Sequence, residues 1–365
     1  MTPIRDALED PRLLDGFLDL PGRVYLGDPL YIPVPRREVL AAVQHPPAGG
    51  AQKALVALSG EFVVARLVAR LSPTLRDGEG RPYGTIGFFE ALAWYDEPVG
   101  RLFQEAIAWL RQAGAGPIVG PMDSDTWHRY RLNVGPFDDP PFLMEPYNRP
   151  YYELLWTESG FAPLERYFSK RVEPAVVVAH LEERRRGALA AGYRLRPLDP
   201  GRFRQELRTI YELSRRIFAG NFLYTEIPEE DFYRLYAGAR SLIDPNLVLF
   251  AQSPAGEDVG FLFAYPDRFR AVAAMRGGRG PLARLRFLRH RKELDAVDFK
   301  TLGVLPEHRR AGVAAALFHE GHRLAMEKGY LFAHHCLFRE GNPSGDLDGG
   351  AGRVMRTYVL YEWKG

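Results

Sequence analysis

Between Val304 and Ala314 the chain reads Val-Leu-Pro-Glu-His-Arg-Arg-Ala-Gly-Val-Ala, a run of residues suited to holding a diphosphate. It joins a strand-like segment, Asp298-Phe-Lys-Thr-Leu-Gly-Val304, to a helix-like one from Gly312 to Lys328. The first turn of a helix leaves backbone N–H groups unsatisfied, and the helix dipole favours an anion in front of them. Gly312 removes the Cβ that would hold a ligand off, and Ala311 and Ala314 keep the neighbouring side chains small. Arg309 and Arg310 add positive charge, and Pro306 bends the chain as it leaves the strand. The chemistry expected here is capture of a pyrophosphate.

The elements that must position this cradle follow from periodicity and turn residues. Val313, Ala314, Leu317, Phe318, Gly321, Leu324 and Ala325 share one side of the helix, the spacing of a helix laid on a sheet. His319 and His322 are expected at the surface, because no carboxylate or cysteine is spaced to complete a metal site with them. Upstream, 193–197 reads as a strand, 202–218 and 228–238 as helices, and 247–252 and 260–265 as strands. Downstream come a C-cap at Gly329, a strand at 330–337, a glycine-rich turn and a last strand at 354–361.

The first half repeats this plan in weaker form. Strands are expected at 54–57, 61–69 and 83–92, a helix at 99–112 and a strand at 117–120. In the place of the cradle stands Ala93-Trp-Tyr-Asp-Glu-Pro-Val-Gly100, with two acids, bulky aromatics and no arginine, so charge and bulk both oppose a diphosphate. The expected division is a degenerate domain at 1–172, a charged linker at 173–192, and a cradle-bearing domain at 193–365.

The segment Arg309-Arg310-Ala311-Gly312-Val313-Ala314, led in by Val304 and Pro306, resembles motif A of the GNAT superfamily of N-acetyltransferases. That motif, Arg/Gln-x-x-Gly-x-Gly/Ala, binds the pyrophosphate of acetyl-CoA. The resemblance implies an α/β (α+β) fold of two tandem GNAT domains, each a mixed, mostly antiparallel central sheet flanked by helices. It implies a pantetheine arm between two diverging strands, 298–304 and 330–337, with Leu302, Gly303 and Val304 beside the thioester and Asn342 as the late asparagine. Backbone N–H groups there would polarise the thioester carbonyl.

The reaction so implied is direct attack of a neutral small-molecule amine on acetyl-CoA, which needs a base for the ammonium proton and an acid for the thiolate. Asp298, on one strand face with Lys300, Leu302 and Val304, is the candidate base. The customary tyrosine, seven residues after Asn342, falls at Gly349. His335, Tyr358 and Tyr361 on neighbouring strands are therefore the candidate acids. Alternatives are a non-catalytic CoA-binding sensor or scaffold, and a Fem-type aminoacyl-tRNA-dependent transferase, since that group also pairs two GNAT folds.

Composition sets the bounds. With 365 residues, 46% hydrophobic and 26% charged, the chain has the balance of a globular protein of about two domains. No stretch approaches the roughly 18 uninterrupted apolar residues of a membrane span, and the acid-bearing N-terminus is not expected to be a secretory signal. The one cysteine, Cys336, is expected to be a packed, inert thiol in a reducing cytoplasm. A net charge of +2 demands no polyanionic partner. Neither a membrane partner, a nucleic-acid partner nor a metal is expected, and the protein is expected to be a monomer or homodimer. One stretch stands apart: residues 266–292 hold nine arginines and lysines against the single acid Asp267. This reads either as a basic flap for CoA phosphates, an acidic substrate or nucleic acid, or as a solvated excursion.

Overall fold

The computed structural model describes residues 2–46, 49–292 and 294–365. In chain order the elements begin β1 (Ile4–Asp6), α1 (Pro11–Val24), α2 (Arg36–Gln44), β2 (Ala51–Ser59), β3 (Phe62–Arg76), β4 (Pro82–Ala91), α3 (Asp96–Gln112), β5 (Ile118–Gly120), β6 (Leu132–Gly135), α4 (Tyr152–Glu158) and β7 (Phe161–Val172). They continue α5 (Pro174–Ala190), β8 (Arg194–Pro197), α6 (Phe203–Phe218), α7 (Glu229–Tyr236), β9 (Val248–Gln252), β10 (Asp258–Pro266), α8 (Phe269–Ala274), α9 (Pro281–His290), β11 (Ala296–Val304), α10 (Val313–Glu327), β12 (Phe332–Arg339) and β13 (Arg353–Trp363).

Contacts divide these into two compact units. The first takes the chain up to Arg166 with Arg270–His290 and Tyr358–Gly365; the second takes Tyr167–Phe269 and Arg291–Thr357. In the first unit β1, β2, β3 and β4 pair antiparallel in sequence order, β5 joins β4 in parallel, and the end of β13 pairs antiparallel with β5 through Tyr361 and Glu362. β3 is buried almost continuously from Val63 to Arg70, as a strand packed against helices must be, and α1 and α3 both lie on it.

The second unit repeats the scheme. β8, β9, β10 and β11 are antiparallel neighbours, β12 joins β11 in parallel, and β7 completes the order antiparallel to β12, from Ala333 opposite Val172 to Arg339 opposite Tyr167. The strand pairing within each unit is thus mixed and mostly antiparallel, as expected.

Two expectations need correction. Residues 174–190 are not a linker: α5 is a helix of the second unit packed along α10. His319 and His322 on α10 are buried, not exposed: His319 lies against α5, and His322 packs against Phe299 of β11 and His335 of β12. His319 Nε2 lies 2.9 Å from a Glu182 carboxylate oxygen on α5. The division also falls elsewhere than at 172 and 193, since β7 and β13 each give their first half to one unit and their second half to the other.

Candidate functional site

The second unit's site is built where a parallel strand pair ends. β11 and β12 are in register from Ala296 opposite Phe332 to Phe299 opposite His335, and there the pairing stops. The rest of β11, through Val304, pairs only with β10, and β12 continues against β7. At the parting, β11 carries a bulge, with Thr301 opposite Phe263 and Phe299 opposite Ala264, so Lys300 is the extra residue. Bulges of this kind re-aim side chains and end pairing. The edge of β11 over 300–304 that faces away from β10 is left with main-chain groups a ligand could engage. The other flank of Gly303 is closed by α6: a Cβ there would stand 3.1 Å from Ile217 and 3.3 Å from Phe218.

Alternation along the two strands sorts their side chains onto opposite faces. Phe299 and His335 face α10, where Phe299 stacks on His322 with ring centroids 4.1 Å apart. Asp298 and His334 face the other way, and His334 Nδ1 lies 2.9 Å from Asp298 Oδ1. Arg171 Nε donates to His334 Nε2 at 3.2 Å. A guanidinium can only donate, so Nε2 is unprotonated and the imidazole proton sits on Nδ1, donated to Asp298. Asp298 is fully buried and its Oδ2 has no hydrogen-bond partner. Burial pushes its carboxyl up to about 8, partly offset by Lys300. Asp267 lies beside the pair, raised to about 6 by burial and by the charge of Asp298. Burial lowers His334 to about 4.

Oxygens of Asp267 and Asp298 and a nitrogen of His334 lie within 4.8 Å of one another, a donor set a divalent cation could in principle use. The hydrogen bonds speak against that use. With Arg171 on Nε2, the Nδ1 atom facing Asp298 carries a hydrogen and offers no lone pair. The arrangement suits moving a proton: a buried carboxylate oxygen without a partner, poised near neutral pH and oriented by a neutral imidazole.

The cradle follows. Pro306–Ala311 forms a 3-10 turn, and Gly312 takes φ 76°, the left-handed region that glycine adopts without strain. The ladder of α10 begins with Ala316 N–H to Gly312 O at 3.0 Å, and no side chain caps the helix start. A Cβ on Gly312 would lie 3.0 Å from the Arg184 carbonyl oxygen of α5. The glycine is therefore required by packing as well as by ligand access, and α5 brings the exposed Arg184 alongside. Arg310 is exposed, whereas Arg309 donates to Val304 O at 3.2 Å and to Ile217 O at 3.3 Å, which ties the turn to β11 and α6. Ala311 and Ala314 are half-buried and Val313 is buried beneath the turn.

No protein-family model matches the chain. A tandem GNAT protein from the clavulanic acid biosynthesis pathway superposes with a TM-score of 0.51 over 99% of this chain and 97% of its own, at 13% identity. The GCN5-related glucosamine N-acetyltransferase region of a fungal multi-domain GH3 β-N-acetylglucosaminidase gives 0.55 at 14% identity, covering 99% of this chain and 38% of that one. The fold is that of the GNAT superfamily. Among curated proteins, the chain is 28% identical over 278 residues to the bacterial ceramide synthase of Caulobacter vibrioides (strain NA1000 / CB15N), covering 74% of this chain and 71% of that one. It is 24% identical over 280 residues to protein YghO of Escherichia coli (strain K12), covering 73% and 69%.

Within this GNAT fold, four sequence candidates, His335, Tyr358, Tyr361 and Asn342, are held by other partners. His335 is buried with its Nε2 3.0 Å from His322 Nε2, and His322 Nδ1 is 2.7 Å from Phe318 O. His335 is thus a neutral core residue among Phe299, Phe318 and His322, and burial holds it well below the ordinary histidine value. Tyr358 lies fully buried in the first unit and donates its hydroxyl to Glu145, and Tyr361 donates to Glu153. Asn342 caps a 3-10 turn at Pro343–Asp346, accepting from Ser344 N–H at 3.0 Å. The glycine-rich run after it is organised by Asp348, which binds Lys170 Nζ at 3.0 Å and accepts from the Gly350 and Gly352 amides. Cys336 is buried, its thiol turned to the His334 carbonyl.

Sequence reasoning missed His334, Asp267 and Arg171. It named His335 as a candidate acid for its type and strand; the register between β11 and β12, not written in either strand, turns His335 toward α10 and His334 toward Asp298. In the first unit, α3 starts with Asp96 and Glu97 in its first turn, and Trp94 before it is 92% exposed. Elsewhere in this unit an open cleft is lined by Arg66, Glu90, Asp123, Arg129, Tyr147 and Tyr152 among others. Glu90 is buried and accepts from the Tyr152 hydroxyl at 2.7 Å, and burial raises its pKa. The acidic first turn of α3 disfavours an anion in front of that helix.

Proposed function

We propose that the chain is a CoA-dependent N-acyltransferase whose second unit joins an acyl group to the amine of a small molecule. The observation that carries this reading is the parting of β11 from β12 after Phe299 and His335, followed directly by an uncapped helix start behind Gly312. Arg310, Arg184 and the first-turn amides of α10 are suited to the CoA diphosphate, and the free edge over Leu302, Gly303 and Val304 to the pantetheine arm. Acyl-CoA as co-substrate supplies an activated thioester carbonyl.

The chain's own residues supply the proton chemistry. Asp298 Oδ2 takes the ammonium proton, directly or through water, and the neutral amine then attacks the carbonyl; the C–N bond forms as the C–S bond breaks, and the thiolate takes up a proton on release. His334 holds Asp298 in orientation, and Arg171 fixes the tautomer of His334. Solvent serves as the acid, because His335, Tyr358 and Tyr361 are engaged elsewhere. The Asp298 arrangement favours catalysis over a purely CoA-sensing role, for which a buried unpartnered carboxylate would be an expense without use.

The sequence expectation is acetyl-CoA. The relative named ceramide synthase favours a longer donor, since a ceramide is an amide of a fatty acid with a long-chain amino alcohol. Calorimetric titration with CoA, acetyl-CoA and palmitoyl-CoA, followed by thiol release across short and long-chain amines, tests the reading. Micromolar CoA binding with amine-dependent thiol release is expected. CoA binding weaker than about 1 mM overturns it, and tight binding without turnover on any amine returns the chain to a sensor.

A further inference from the structure

The basic stretch after β10 takes no part in the proposed chemistry, and its leucines are on the wrong side for a water-facing helix. α9, Pro281–His290, belongs to the first unit. Its inward side chain is small: Ala283 is buried. Its leucines point out, with Leu282 60% exposed, Leu285 64% and Leu288 45%. Steps of three residues at roughly 100° each keep the three within an arc of about 120° on the outer side. Arg284 and Arg289 are exposed with them, and Arg286 is half-buried at the margin.

The charge along this stretch of the chain is one-sided. Between Arg268 and Lys292 there are nine cationic side chains and no acid, although the whole chain carries only +2, so the remainder is net negative. One of the nine, Arg279, is paired with Glu38. A surface helix in water normally turns its leucines inward and its arginines outward. Here both point outward, which is the composition of a helix that lies in the plane of a membrane interface.

We infer that α9 docks on an anionic lipid surface, with Leu282, Leu285 and Leu288 entering the headgroup boundary and the flanking arginines meeting lipid phosphates. The partner follows from the two halves of the patch taken together. A nucleic acid would use the arginines and leave the leucines in water. A second copy meeting this face across a two-fold axis would set arginine against arginine, because such a contact opposes a patch to itself. An anionic bilayer answers the charge and the apolar arc at once. No helix among the described residues is long and apolar enough to cross a membrane, so the contact is peripheral. This reverses the expectation of no membrane partner and does not rest on the catalytic reading.

The test uses the full chain without CoA, floated with vesicles of phosphatidylcholine alone or mixed with phosphatidylglycerol. Binding to the anionic vesicles is expected to exceed that to the neutral ones by at least about ten-fold and to fall with added salt. The double variant Leu282→Glu, Leu285→Glu keeps good helix formers at exposed sites and should melt like the parent. It is expected to lose anionic-vesicle binding about ten-fold or more. Equal binding to both vesicle types, or undiminished binding by the variant, overturns the proposal. So does light scattering that finds a dimer which the same substitutions convert to a monomer.

Discussion

Asp298 and His334 meet across the parallel register of β11 and β12, Oδ1 to Nδ1 at 2.9 Å, and among the described residues of the second unit Asp298 is the one fully buried acid that keeps an oxygen without a partner. Arg171 on the far nitrogen of the imidazole sets the proton between them. The pair sits one residue before the last paired residues, Phe299 and His335, and two before the bulge at Lys300.

Asp298→Asn separates activity from stability. The amide oxygen still accepts from His334, but no base remains, and N-acyl transfer should fall by about 10²–10⁴-fold. The folded carboxyl titrates at about 8 against an ordinary 3.8. Below about 4 both folded and unfolded chains hold the proton; between about 4 and 8 only the folded chain does. Stability from this group is thus full at low pH and falls by about 1.4 kcal/mol per pH unit as pH rises through that window. Urea midpoints at pH 5 and pH 8 should show the variant gaining on the parent at the higher pH.

Asp267→Asn should shift the pH profile. Two neighbouring carboxylates oppose each other's ionisation, so neutralising one lets the other ionise at lower pH. The rising limb of kcat/KM, expected near pH 8 in the parent, should move down by about one unit. An unmoved limb would show that Asp267 does not act on Asp298.

His335→Leu is the control for the neighbouring face. It leaves His322 Nε2 without its partner in a dry core and should cost about 1–3 kcal/mol of stability. The pH limb should stay where it is. A shifted limb would return His335 to the proton path.

Ala314→Asp probes the cradle better than a change at Gly312, where φ and the Arg184 carbonyl make any side chain a folding problem. An acid in the first turn of α10 favours the helix, so the melting temperature should hold or rise slightly. The same charge repels a diphosphate, and the CoA dissociation constant should increase by about 10–100-fold. Unchanged affinity would remove the helix start as the CoA site.

The elements were legible because each carries its own signal. The paired apolar runs of β2 and β3, the turn between them at Ser59-Gly60, the central strand β4 and the strand-to-helix junction at 304–314 are local patterns, and all are found close to where the sequence puts them. Asp298 was found as a candidate for the same reason, lying one strand period from Lys300. The failures are of another kind. His319 and His322 were assigned to solvent because one helix's pattern says nothing of what lies on it, α5 over His319 and the strands β11 and β12 over His322. Tyr358 and His335 were chosen for side-chain type, while their hydrogen bonds depended on Glu145 and His322 from distant parts of the chain.

By itself, then, the amino-acid order determined the strand and helix types, the glycine-and-arginine turn before α10, and the basic charge after β10, since each depends on residues within a few positions of one another. The tertiary structure alone decided that His334 rather than His335 faces Asp298, that β7 and β13 change units midway, and that the leucines of α9 point outward. Those are matters of register and packing between segments far apart in the chain, where shifting a pairing by a single residue turns every side chain to the opposite face.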